Sequence, residues 1–157
     1  MKIEYYLHQI WLAIICVLMF VSLILPIGKL VNAEGASAML TNFRLNYVEG
    51  GHSGALWALG VILILSLIAG VFELLLSGFR NFTIQKRVLV LMILLGLGYY
   101  ILLVLYVFLM KGDCQFVPNY SAAFPLVCMA LEYMTIHGIT KAEADIIAKA
   151  NGFRLRD

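Results

Sequence analysis

Four long apolar stretches dominate the chain, with polar residues returning only in the segments between them. They run from Ile10 to Ile27, Gly54 to Leu76, Val88 to Met110 and Tyr120 to Ile136. A hydrocarbon core about 30 Å thick is crossed by about 20 residues of helix, so each run predicts a membrane-spanning helix. Lipid cannot hydrogen-bond backbone N–H and C=O groups, which leaves helices and closed barrels as spanning structures. The runs are continuous rather than alternating, and that excludes a transmembrane barrel. Ser22 and Pro26 interrupt the first run; the second holds one carboxylate, Glu73, near its end. The third has no charge, and the fourth has Pro125 near its start and Glu132 near its finish.

The connecting segments are short. Residues 28–53 and 111–119 form two loops on one side, residues 77–87 one loop on the other, and residues 137–157 a tail. In the first loop Phe43, Leu45 and Tyr47 alternate with Asn42, Arg44 and Asn46, a period of two that predicts a short strand ended by Gly50 and Gly51. A cap over the helix ends is the expectation; a ligand-binding lid is the alternative. Residues 111–119, with Gly112 and Pro118, read as a tight turn. In the tail, Thr140 and Glu143 stand at capping-box spacing and Gly152 offers a stop. Asp145 and Lys149 are spaced to pair, and Ile139, Ala142, Ile146, Ala150 and Phe153 make a narrow apolar stripe. A basic amphipathic helix lying at the lipid interface fits that pattern, with docking of a partner as the alternative. The fold class is therefore an all-α polytopic membrane protein. It is one integral domain over residues 1–157, a four-transmembrane-helix bundle with a short β-like outer loop and a cytoplasmic amphipathic tail helix.

Composition agrees: 63% of the 157 residues are hydrophobic and 13% charged, with a mean hydropathy of +0.97. Soluble domains carry about 25% charged residues, so a soluble enzyme is excluded. Charge sets orientation through Lys and Arg in the loops. Lys2, Arg80, Lys86, Arg87, Lys141, Lys149, Arg154 and Arg156 fall on one side; only Lys29, Arg44 and Lys111 fall on the other. Both termini are thus expected in the cytoplasm, and the net charge of +2 reflects orientation rather than nucleic-acid binding. Val31-Asn32-Ala33 and Ala36-Ser37-Ala38 resemble signal-peptide cleavage sites, but the first run exceeds the usual h-region of about 7–15 residues. An uncleaved anchor is expected.

Chemistry-bearing groups are few. Glu73 and Glu132 sit three or four residues from the same ends of two parallel spans, at similar depth. Ionisable residues inside spans usually face the protein interior or water. Pairing with Arg80, Lys86, Arg87 or His137 is the structural expectation, and a proton or cation relay the functional one. Ser66, Tyr99, Tyr100 and Cys128 fall near span midpoints, where the hydroxyls need helix-to-helix partners or could hold a quinone or lipid headgroup. Gly54, Ala58, Ser66 and Gly70 recur on one face and predict a packing seam, within the bundle or against a partner. His8, His52 and His137 do not bracket a haem, and no metal-ligand spacing appears among His and Cys. Cys114 stands alone on the outer side, and no catalytic triad, phosphate loop or dinucleotide fingerprint occurs. No cofactor, metal or catalytic residue is expected.

Three stretches carry a resemblance. They are Phe79-Arg80-Asn81-Phe82-Thr83-Ile84-Gln85-Lys86-Arg87, Phe124-Pro125, and Gly138-Ile139-Thr140-Lys141-Ala142-Glu143-Ala144 with Arg154-Leu155-Arg156. Together they resemble an uncharacterised family of four-helix membrane proteins from Bacteroidota, domain of unknown function four-two-nine-three. The chain departs from its pattern at Ala142, where the family tends to carry Asp. The resemblance implies the layout but no activity, because no catalytic or binding residues come with it.

The expected function is a structural or accessory subunit of a bacterial inner membrane without catalysis. Its partners would be the lipid bilayer and either a membrane protein or a second copy of the chain, not nucleic acid. The alternatives are a small permease or proton-coupled carrier using Glu73 and Glu132, and a lipid- or quinone-interacting enzyme.

Overall fold

The computed structural model describes residues 2–35, 37–47, 54–55, 57–79, 81–110 and 114–154. Four long helices carry it: α1 (Lys2–Ile24), α2 (Trp57–Leu76), α3 (Phe82–Met110) and α4 (Phe124–Arg154). All four are long and apolar enough to cross a membrane. They close a ring, in which α1 packs on α2, α2 on α3, α3 on α4 and α4 on α1. α1 begins and α4 finishes at one end of this ring, here termed the base; the opposite end is the cap.

The helices do not stop where the apolar runs stop. α3 starts at Phe82, so Thr83 to Arg87, expected in a loop, are helical. Polar side chains cost a helix little when its end reaches water, and nothing there breaks the hydrogen-bond ladder. α1 ends at Ile24 rather than Ile27, because Pro26 disfavours helical backbone in the residue before it. Both peptide stretches that resemble cleavage sites touch strands beyond α1, and α1 itself forms one wall of the ring. At α4 the proline falls in the first turn, where no helical hydrogen bond is lost. The Asn119 side chain caps the preceding 3-10 turn (Tyr120–Ala123), accepting from the Tyr120 N–H at 3.0 Å.

The tail differs from expectation. α4 is unbroken to Arg154, and Thr140 is no cap: its hydroxyl donates to the Ile136 carbonyl at 2.8 Å, as in a helix interior. At 1.5 Å per residue, 31 residues extend about 46 Å, more than a hydrocarbon core requires. Along the stripe Ile139 is buried, Ala142 half-buried, and Ile146 and Ala150 exposed; the Phe153 side chain lies outside the described residues.

The outer loops hold more strand than the alternation predicted. β1 (Gly28–Val31), β2 (Ser37–Leu40), β3 (Arg44–Tyr47), β4 (Gly54–Ala55) and β5 (Gln115–Pro118) form one antiparallel sheet in the order β4-β3-β2-β1-β5. Alternation showed only β3, whose Leu45 is buried as expected. The stretch read as a tight turn supplies β5, which adds to β1 with Lys29 opposite Val117. Gly35, at φ 83°, turns the β1–β2 hairpin in a conformation open to glycine. Ile27, Leu30, Ala38, Leu40 and Leu45 face inward and join one core with Leu12, Ile15, Leu59, Leu63 and Met92 of the helices.

Candidate functional site

At the cap, polar groups are consumed by structure. Asn42 sits in the β2–β3 turn, fully buried. Its Nδ2 donates to the Ser22 carbonyl at 2.7 Å, an unpaired acceptor at the end of α1. Its Oδ1 accepts from the Tyr99 hydroxyl at 2.9 Å, and its backbone carbonyl accepts from Gly60 N–H at 2.9 Å, in the first turn of α2. One residue thus ties the sheet to α1 and α3 through its side chain and to α2 through its carbonyl. The Phe43 ring lies so close over Gly60 that a Cβ there would fall 2.2 Å from it. Asn119 and Ser121 both donate to the Pro26 carbonyl, which joins the second loop to the first.

The two central tyrosines belong to the same system. Tyr100 donates to the Ala122 carbonyl at 2.6 Å and accepts from Leu126 N–H at 2.9 Å. Its ring meets Tyr99 edge-on, centroids 5.6 Å apart. Ser66, a predicted partner for these hydroxyls, is buried without one among the described residues. Both tyrosine hydroxyls donate within the cap.

Toward the base the interior changes character. One level is fixed by two contacts: Cys128 Sγ lies 3.8 Å from the Ile15 carbonyl, and Gly70 faces Cys16 Sγ and Met92. A Cβ on Gly70 would come within 3.1 Å of that sulfur, so the glycine permits the close approach. Glu73 follows Gly70 by three residues and Glu132 follows Cys128 by four, both baseward. Both therefore lie about 5 Å below this level at a rise of 1.5 Å per residue. Leu12 and Leu89, each three residues baseward on α1 and α3, fill the same layer. Both glutamates are 0% exposed, and neither carboxyl has a hydrogen-bond partner among the described residues.

The described basic groups expected beside them have other surroundings. Lys86 pairs with Glu143, joining the base of α3 to α4. Arg87 and His137 are exposed, and Arg80 lies outside the described residues. The structure thus brings Glu73 and Glu132 to one layer but does not bring Arg87 or His137 to them. Of the predicted seam, Ser66 and Gly70 are buried and Ala58 half-buried on α2, while Gly54 belongs to β4 and pairs with Leu45. Gly70 faces the inside of the ring, against Cys16 and Met92. Among the described residues no three His, Cys, Asp or Glu converge as metal ligands, and the three cysteines are free.

Sequence reading missed Asn42, Gln85, Ser77 and Thr135, all buried. Asn42 carried a usable signal: a lone amide in a turn between two alternating stretches, where a side chain can bond backbone groups.

The described residues hold four helices long and apolar enough to cross a membrane, a fastened sheet and two interior carboxyls, the layout expected of a multi-pass membrane protein. The family model Domain of unknown function (DUF4293) matches residues 8–150, and the chain belongs to that family. No curated protein matches the chain.

Proposed function

We propose that the chain is a small proton-coupled carrier of a bacterial cytoplasmic membrane, with its base and both termini in the cytoplasm. The observation that carries this reading is the state of Glu73 and Glu132, buried on two helices without a hydrogen-bond partner among the described residues. An unpaired carboxylate is costly in an apolar interior, whereas a carboxyl that takes and gives a proton changes charge in place. The proton is favoured over a metal ion because coordination needs several converging ligands, and no three His, Cys, Asp or Glu converge among the described residues. Orientation rests on the Lys and Arg excess in the base segments, which the positive-inside rule places in the cytoplasm.

The test is proton flux into vesicles reconstituted with the purified protein under an imposed pH gradient. Glu73→Gln with Glu132→Gln abolishes the protein-dependent flux; a rate equal to that of the unaltered protein overturns the reading. Reporter fusions at both chain ends check orientation, and signals from opposite sides of the membrane would refute it.

A second reading is an accessory subunit without catalysis. It is favoured by a shallow groove on the outer face of α1, lined by Ile10, Ala13, Ile14, Val17 and Leu18, with no polar lining. Small Ala13 among larger neighbours admits a partner helix. Cross-linking in native membranes that captures only monomers counts against this reading.

A further inference from the structure

The interior repeats with a seven-residue period below the cap, and the repeat places four polar side chains at one level. Seven residues baseward of Ile15, Gly70, Met92 and Cys128 stand His8, Ser77, Gln85 and Thr135, all buried. Two hydrogen bonds tie α1 and α3 to the end of α2 at this level: Gln9 Nε2 donates to Ser77 Oγ at 3.1 Å, and Gln85 Nε2 donates to the Leu76 carbonyl at 2.9 Å. Thr135 on α4 is placed by the repeat, its hydroxyl donating to the Leu131 carbonyl at 2.7 Å. Each member comes from a different element: α1, the 3-10 turn Ser77–Phe79, α3 and α4. The carboxyl layer lies between this polar layer and the Cys16–Cys128 level. Gln85 Oε1, in a side chain 1% exposed, has no hydrogen-bond partner among the described residues, so an open acceptor stands in the layer next to the carboxyls.

On the cap side one hydroxyl, Ser66 Oγ, is buried without a hydrogen-bond partner among the described residues, and beyond it the surroundings are apolar or committed. Met19, Leu59, Leu63 and Leu103 are buried there, and the Tyr99–Asn42 bond with the sheet closes the end. Among the described residues, the titratable and charged groups around the carboxyls are Cys16 and Cys128 toward the cap and His8 toward the base, with the Lys86–Glu143 pair and the exposed Arg87 and His137 also baseward. A carboxylate in this position has a layer of polar side chains from all four sides in the base direction only.

We propose that protons reach Glu73 and Glu132 from the base alone, through the layer formed by His8, Ser77, Gln85 and Thr135. The step is a simple protonation: a proton leaves water at the base and bonds one carboxylate oxygen, and the anion becomes a neutral acid. Release reverses it. The inference rests on the carrier reading and adds the side from which the site is loaded, with the polar layer as the positioning groups.

A hydrophobic carbodiimide provides the test, because it modifies a carboxyl only in its protonated form. Inside-out and right-side-out vesicles containing the full chain are treated with pH set independently on the two sides, and adducts at Glu73 and Glu132 are measured by mass spectrometry. Labelling is expected to rise as the base-side pH falls and to ignore the cap-side pH. Labelling that follows the cap side, or both sides, overturns the route while leaving proton uptake intact. An absence of adducts at every pH overturns the carrier reading itself. Thr135→Val, close in shape, and Gln85→Leu slow base-side labelling several-fold, whereas Tyr99→Phe leaves it unchanged. Equal rates in all three variants refute the role of the layer.

Discussion

The cap and the carboxyl layer near the base treat buried polarity in opposite ways. At the cap, Asn42, Tyr99, Tyr100 and Ser121 are interior and hydrogen-bonded, each joining segments far apart in sequence. At the base, Glu73 and Glu132 are equally buried and have no hydrogen-bond partner among the described residues. Burial alone therefore says nothing about role. A satisfied polar group fixes a fold, whereas an unsatisfied one costs stability that only another benefit offsets.

The sharpest way to break this comparison applies one kind of change at both ends. Asn42→Leu removes the cap's shared partner and orphans the Tyr99 hydroxyl and the Ser22 carbonyl, each worth about 1–3 kcal/mol. A loss of about 3–5 kcal/mol in thermal or denaturant unfolding in detergent is expected. Glu73→Met goes the other way, gaining about 1–3 kcal/mol because it removes an orphaned polar group at similar volume. A clear loss of stability in Glu73→Met would show that the carboxyl has a structural partner and would erase the contrast.

Smaller effects sharpen it. Gly60→Ala drives a methyl into the Phe43 ring and should cost about 1–3 kcal/mol by overpacking, read as easier proteolysis of the sheet loops. Tyr99→Phe removes one bond to Asn42 and should cost about 1 kcal/mol. In a double-mutant cycle with Asn42→Leu that cost should largely vanish, since the two changes delete the same contact. Lys86→Ala breaks a partly exposed ion pair and should cost at most about 1 kcal/mol, falling further in high salt.

Much of the helical framework was legible. Long uninterrupted apolar runs predicted all four helices, and the alternation at residues 42–47 predicted β3. The helix ends were less legible, because apolarity ends at the hydrocarbon boundary while hydrogen bonding continues into water, as at Phe82 to Arg87. For the candidate site, equal depth of Glu73 and Glu132 could be read by counting residues from the span ends. Their lack of partners could not, since Lys86, Arg87 and His137 are near in sequence but face elsewhere.

The sequence by itself determined the number of helices, their order and the belt of Lys and Arg at one end, because segment hydrophobicity and length are local quantities. Only the tertiary structure decided which face of each helix turns inward, since a helix apolar nearly all round carries little periodicity to mark its buried side. It also decided the sheet, whose β1 and β5 come from loops separated by two helices. Pairing across such a distance depends on where the helix ends deliver the strands.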